Sequence, residues 1–231
     1  MTSSGTYNYS LSNGEAVLAA YERVQIRAPS IRQEHMLTAR RECNLLFVEL
    51  SNKQVNLWKI EQLSIDLTES TATYDVPARV VMILDGYVSL NDGETDQTDR
   101  YVVPISRTDY ASYAAKFTEG QPTVYWFNRL ISPEITFYPV PDGGGPYVFN
   151  YYACVQLQDI ALTGGETPDL PYRWLDVLVS GLAHRLARVY APPLEAQRKQ
   201  DYADAWAAAG TQDTENVPLI IAPKIGGYYR R

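Results

Sequence analysis

The chain has 231 residues, 45% of them hydrophobic, with 27 acidic and 20 basic residues and a net charge of −7. That length holds one large domain or two small ones with a real core, and the acidic balance disfavours general nucleic-acid binding, which needs a basic face. No run approaches the ~20 apolar residues of a membrane span, and MTSSGTYNYS at the start lacks the basic end and apolar centre of a signal peptide, so a protein kept in the cytosol that makes it is expected.

Residues 1–11 read as a polar arm. Ser12 with Glu15 has the form of a capping box, and Val17, Ala20, Tyr21 and Val24 then share one face of a helix ending near Arg27. Ala28 and Pro29 break it. Ser30 with Gln33 repeats the signature, opening a second helix whose apolar side is Met36, Ala39, Cys43, Phe47 and Leu50.

After Val55 the period changes. Leu63, Ile65 and Leu67 alternate with polar neighbours as a half-buried strand does, and strand-like runs follow at 71–74, 80–84, 86–90, 101–105, 123–128, 134–140 and 147–158. The glycines of PVPDGGGPY, residues 139–147, suit a hairpin reversal. Ser106 with Asp109 caps a short helix over 110–116 that crosses an end of the sheet. Strands at this spacing imply a sandwich or small barrel.

Residues 169–191 predict the longest amphipathic helix. Leu175, Leu178, Val179, Leu182, Leu186, Val189 and Tyr190 form an apolar stripe, Asp169 is a candidate N-cap with Pro171 in the first turn, and Pro192 and Pro193 end it. Ser180, Gly181 and Ala183 leave room for a second helix to approach. A further helix over 194–209 ends at Gly210.

Acidity is concentrated in the middle of the chain. Residues 55–165 carry fourteen acids and six bases, and the rest carries thirteen acids and fourteen bases. Eighteen tyrosines against five phenylalanines favour surfaces that meet other surfaces, although half-buried strands also take tyrosine. Cys43 and Cys154 are too few for a disulfide framework, and buried free thiols are expected.

Catalytic signals are weak. His184 is placed opposite the apolar stripe near Arg173 and Arg188, as a solvated or interface histidine with no evident nucleophile. His35 has no ligand spacing around it. The loop with Asp92, Glu94, Asp96 and Asp99 departs from the calcium pattern, with its glycine too early and no distal glutamate, so it reads as a solvated connection. No metal, cofactor or catalytic residue is assigned.

The final segment, VPLIIAPKIGGYYRR, is apolar, has no acid, and carries two prolines and two glycines. Prolines around Leu219, Ile220 and Ile221 disfavour helix and permit an extended strand. It reads as an arm that docks on another chain, with Val217, Pro218, Leu219, Ile220, Ile221, Pro223, Ile225, Tyr228 and Tyr229 in contact. Arg173, Val177, Gly181, His184 and Arg188 are grouped as a subunit or partner interface.

With these elements placed, the order of segments NLWKIEQLSIDLTESTATYDVP, VMILDGYV, RYVVPISRTDYASYAAKFTEGQPTVYWFNR, ITFYPVPDGGGPYVFNYYACVQLQD and TPDLPYRWLDVLVSGLAHRLARVYAP resembles the head-to-tail adaptors of short-tailed bacteriophages. The resemblance covers about residues 12–225 and carries no catalytic signature. It implies a structural virion protein of the tail or neck, assembled in the host cytoplasm. Such a protein forms a ring, typically twelvefold, around a DNA passage, with a portal above, nozzle or fibre proteins below, and a C-terminal arm reaching into the portal.

The expected fold class is α+β. A helical bundle from residues 12–54 and 166–212 carries an inserted antiparallel β-sandwich or barrel-like domain, residues 55–165, and an extended arm, residues 213–231. The competing reading is a β-sandwich host-attachment module displaying tyrosines; a small carboxylate hydrolase is a third.

Overall fold

The computed structural model describes residues 5–6, 9–53, 56–162 and 165–214. These form five α-helices and two four-stranded sheets in a mixed α+β arrangement. Helix α1 (Asn13–Arg23) starts where expected. Ser12 Oγ accepts from the Glu15 N–H and the Glu15 carboxylate accepts from the Ser12 N–H at 2.9 Å, a complete capping box. It stops four residues short of Arg27, because Gln25 takes a left-handed φ of 67° that no helix continues.

Helix α2 (Gln33–Lys53) begins after a 3-10 turn at Ala28–Ser30. Its first turn is served by His35, whose Nδ1 accepts the Arg32 N–H at 3.1 Å, and not by Ser30.

The first sheet has the order β1-β8-β3-β4, with β1 Ile60–Leu67, β3 Val80–Leu90, β4 Thr98–Tyr101 and β8 Tyr147–Val155. The alternation in β1 sets its register: Leu63, Ile65 and Leu67 pair opposite Tyr151, Phe149 and Tyr147. The runs 80–84 and 86–90 are one strand, irregular at Val80/Met82 and Ile83/Asp85. The second sheet has the order β2-β7-β6-β5, with β2 Thr73–Asp75, β5 Val103–Pro104, β6 Val124–Asn128 and β7 Glu134–Tyr138.

The expected single strand over 101–105 is thus divided between the sheets at the buried Val102. Likewise β7 and β8 lie in different sheets, so the triple-glycine turn carries the chain from one sheet to the other and makes no hairpin. Both sheets are open, and the barrel alternative falls. Residues of both sheets share one apolar cluster, where Phe149 meets Phe137 with ring centroids 4.9 Å apart and Tyr125 at 5.4 Å.

Helix α3 (Arg107–Ser112) has the Ser106/Asp109 capping box but ends before Lys116. It covers the outer face of the second sheet rather than its end, stacking Tyr110 on Trp126 and Tyr113 on Tyr138.

A second apolar cluster gathers α1, α2, α4 (Leu175–Tyr190) and α5 (Glu195–Gln212). Helix α4 is its axis, with α1, α2 and α5 all packed against it. Eleven of its sixteen residues are buried, including Ser180, Gly181 and His184, so the stripe read from sequence is closer to a full circumference. Val189, assigned to the stripe, is 53% exposed. Helix α5 runs through Gly210 and is capped at Asp213.

Candidate functional site

A set of polar side chains ties α4 to the helices packed against it. Gly181 lets α2 and α5 close on it: a Cβ there would sit 2.9 Å from both Leu46 methyls and 3.0 Å from Tyr202 Cε2. Beside that contact, Glu49 of α2 accepts from Arg185 Nη2 at 2.6 Å, Lys53 Nζ at 2.9 Å and the Tyr202 hydroxyl at 3.0 Å. Burial acts to raise the Glu49 pKa, but the hydrogen bonds from Lys53 and Arg185, the Lys53 charge and the Tyr202 bond outweigh it and hold the carboxyl at about 2. Three helices are therefore joined through one carboxylate.

His184 belongs to the same seam. It is 6% exposed, sits 3.0 Å from Glu195 Oε1 and 3.3 Å from Arg188 Nη2, and stacks on Tyr202. Its hydrogen bond is the main cause of a lowered Glu195 pKa. The solvated or intersubunit histidine expected from the helical wheel is instead an internal tie between α4 and α5. Val177 and Gly181 turn inward too, against neighbouring helices of the same chain. Of the five residues grouped as an interface, Arg188 has the large exposure, while Arg173 donates to Asp213 at 2.9 Å and lies over the Trp58 ring.

Asp213 of that last pair lies next to the last described residue, Thr214. The Asp213 side chain is fully enclosed, and Trp58 packs on Trp174 below it with centroids 4.8 Å apart. The residues assigned to the arm, Val217 to Tyr229, lie outside the described residues.

A different set of contacts joins the helical and β parts. Asp169, expected to cap α4, does not: the helix is entered through a 3-10 turn at Tyr172–Trp174 with no side-chain cap. The Asp169 carboxylate accepts from Lys59 Nζ at 2.7 Å and from the Gln158 N–H at 3.1 Å. Asn44 Oδ1 takes the Ile160 N–H, and Asn13 Nδ2 donates to the Ala161 carbonyl. Of these, Asn13, Gln158, Ile160, Ala161 and Asp169 line a cleft of roughly 460 Å³ together with Glu166. Because each contact joins residues more than 100 positions apart or lies in a connecting loop, no local pattern in the sequence announces it.

The acidic loop folds on itself. Asp99 accepts from Ser89 and Gln97, Asp96 from Asn91, and Asp92 from Asn150. Both cysteines are buried and free. Among the described residues no helix is long and apolar enough to cross a membrane.

One surface was missed from the sequence although its signal is there. Leu37, Leu45 and Val48 lie off the apolar side of α2 and are exposed.

Comparison with known proteins gives one family. A family model described as SU10 adaptor protein matches residues 36–222, from the start of α2 past the end of α5. No curated protein matches the chain.

Proposed function

The chain belongs to the SU10 adaptor protein family of phage head-tail adaptors, and from that premise we propose that it is a non-enzymatic ring component joining portal to tail around the DNA passage. The observation that carries this reading is the extent of the match, which runs from α2 through α5 and takes in everything between them. Two separate apolar clusters support a division into a helical bundle, residues 12–54 and 166–212, and a β-sandwich insertion, residues 55–165.

The ring is a dodecamer, as the resemblance implies, and its closure uses head-to-tail contacts between different faces of neighbouring subunits. Arg188 lies on a contact face. The segment 213–231 is the arm: it leaves from the anchored Asp213, and its apolar residues 217–229 dock in the portal, with nozzle or fibre proteins on the opposite side. The acidic β part borders a passage through which DNA slides without being gripped, because cationic contacts repeated around a ring would hold the phosphates.

The test is attachment to the cognate portal by the full chain and by a chain lacking residues 217–231, followed by electron microscopy. The full chain should give portal-bound rings, and the shortened chain should stay folded by circular dichroism yet fail to attach. Undiminished attachment by the shortened chain would refute the arm's role, and a full chain that never joins the portal would refute the adaptor reading.

A further inference from the structure

Among the described residues, α2 carries an apolar face that no other element covers. Leu37, Leu45 and Val48 of α2 are 62%, 47% and 58% exposed. On a 3.6-residue period they fall on one side with Arg41, away from the Ala39, Cys43, Leu46, Phe47 and Leu50 side that enters the core. Arg40 and Arg41 flank them; among the described residues Arg41 makes a loose 3.5 Å contact with Glu42, and Glu34 is the acid at the start of the face.

Helix α1 presents the opposite charge. Its inward residues are Ala16, Val17, Ala20 and Tyr21, so Glu15, Leu18 and Glu22 point outward, with Leu18 37% exposed. Helix α1 rests on the flank of α4 carrying Asp176 and Ser180, through Arg23, whereas α2 rests on the flank carrying Gly181 and Arg185. The two outward faces therefore look away from α4 in different directions.

We propose that the α2 face of Leu37, Arg40, Arg41, Leu45 and Val48 docks on the α1 face of Glu15, Leu18 and Glu22 of a second copy of this chain. Aliphatic side chains meet at the centre, and the arginines meet carboxylates at the rim, which sets register and selects the partner face. A contact of α2 with α2 would instead oppose arginines to their own images. Since each copy offers both faces, the contact is heterologous and repeats until rotation closes it. This contact rests on the ring reading above and supplies the surfaces that make the ring.

The experiment attaches a maleimide-benzophenone to Leu45→Cys in the full chain. Labelling is selective because Cys43 and Cys154 are buried, and burial pushes the Cys43 thiol up to about 12. Labelled chains are mixed with isotope-enriched wild-type chains and irradiated, alone and with the portal, and adducts are mapped by mass spectrometry. Adducts on the enriched peptide carrying Leu18 and Glu22 are expected. Their yield should fall several-fold with enriched Glu22→Arg and recover when the labelled chain also carries Arg41→Glu.

Adducts on α2 of the enriched chain, adducts within residues 215–231 of either chain, or no intermolecular adduct in either sample would each overturn the proposal. Portal attachment in the same samples separates the two readings. Attachment without the α1 adduct defeats this contact alone, and the adduct without attachment defeats the adaptor reading alone.

Discussion

Gly86 and Gly181 are both glycines for lack of space, and neither needs a left-handed backbone. A Cβ on Gly86 would lie 2.5 Å from Phe149 Cζ, inside the β core where Phe149 also meets Phe137, Tyr125 and Tyr151. Gly86→Ala should therefore cost about 2–3 kcal/mol, as overpacking a filled core does. At Gly181 the obstructing atoms are the ends of Leu46 and Tyr202, and alanine regains about 1 kcal/mol of helix propensity. Gly181→Ala should be the milder change, at about 1 kcal/mol net loss. Urea unfolding of both variants checks the order, and equal costs would contradict it.

Glu49 gives a pH dependence whose sign is fixed by its low folded-state pKa of about 2. The unfolded carboxyl titrates near its ordinary value of about 4.3. The stability it contributes is thus complete above that value and is lost as pH falls through about 2. With a third of the side chain in solvent, the contribution after screening is about 1–2 kcal/mol. Urea midpoints measured from pH 5 down to pH 2 (roughly the window those two values define) should fall less steeply in Glu49→Gln than in the parent chain.

At the scale of elements, Asp169 separates what a sequence can say from what it cannot. An aspartate before a proline-led helix is a sound N-cap signal, but the helix starts later and the carboxylate serves Lys59, which is only 8% exposed. If Asp169 were a cap, Asp169→Ala would cost about 1 kcal/mol. Because it leaves a nearly buried ammonium without its anion, the expected cost is about 2–3 kcal/mol, and Lys59→Met in the same chain should recover most of it. A double-mutant cycle by denaturant unfolding measures this, and additive effects would restore the capping role.

The same distinction runs through the other elements. Capping boxes at Ser12 and Ser106 were legible because all their atoms lie within four residues. The half-buried character of β1 was legible because alternation fixes a face, while its pairing with β8 was not. The continuity of β3 through Gly86, the exchange of sheets at Val102 and the burial of His184 depend on partners distant in sequence. Local pattern has no access to those partners. For α4 the wheel found the most apolar side, but a helix surrounded by three others also buries serine, glycine and histidine.

For the whole molecule, charge sorts by part: residues 55–165 hold an excess of eight acids, and the helical stretches with the termini are close to neutral. Asp92, Glu94 and Asp96 form the exposed tip of that excess, between β3 and β4. In a ring this tip would be repeated at every subunit, so its effect on DNA multiplies in the way cationic contacts would, with opposite sign. The assembled parent protein should leave duplex DNA unretained at physiological salt. Replacing the three carboxylates with lysines changes each subunit by six charges and should produce retention that weakens steeply as salt rises, because released counterions drive it. Filter binding across a salt series reads both quantities. Retention by the parent, or a variant whose retention ignores salt, would remove the acidic β part from the passage and leave its charge to solubility alone.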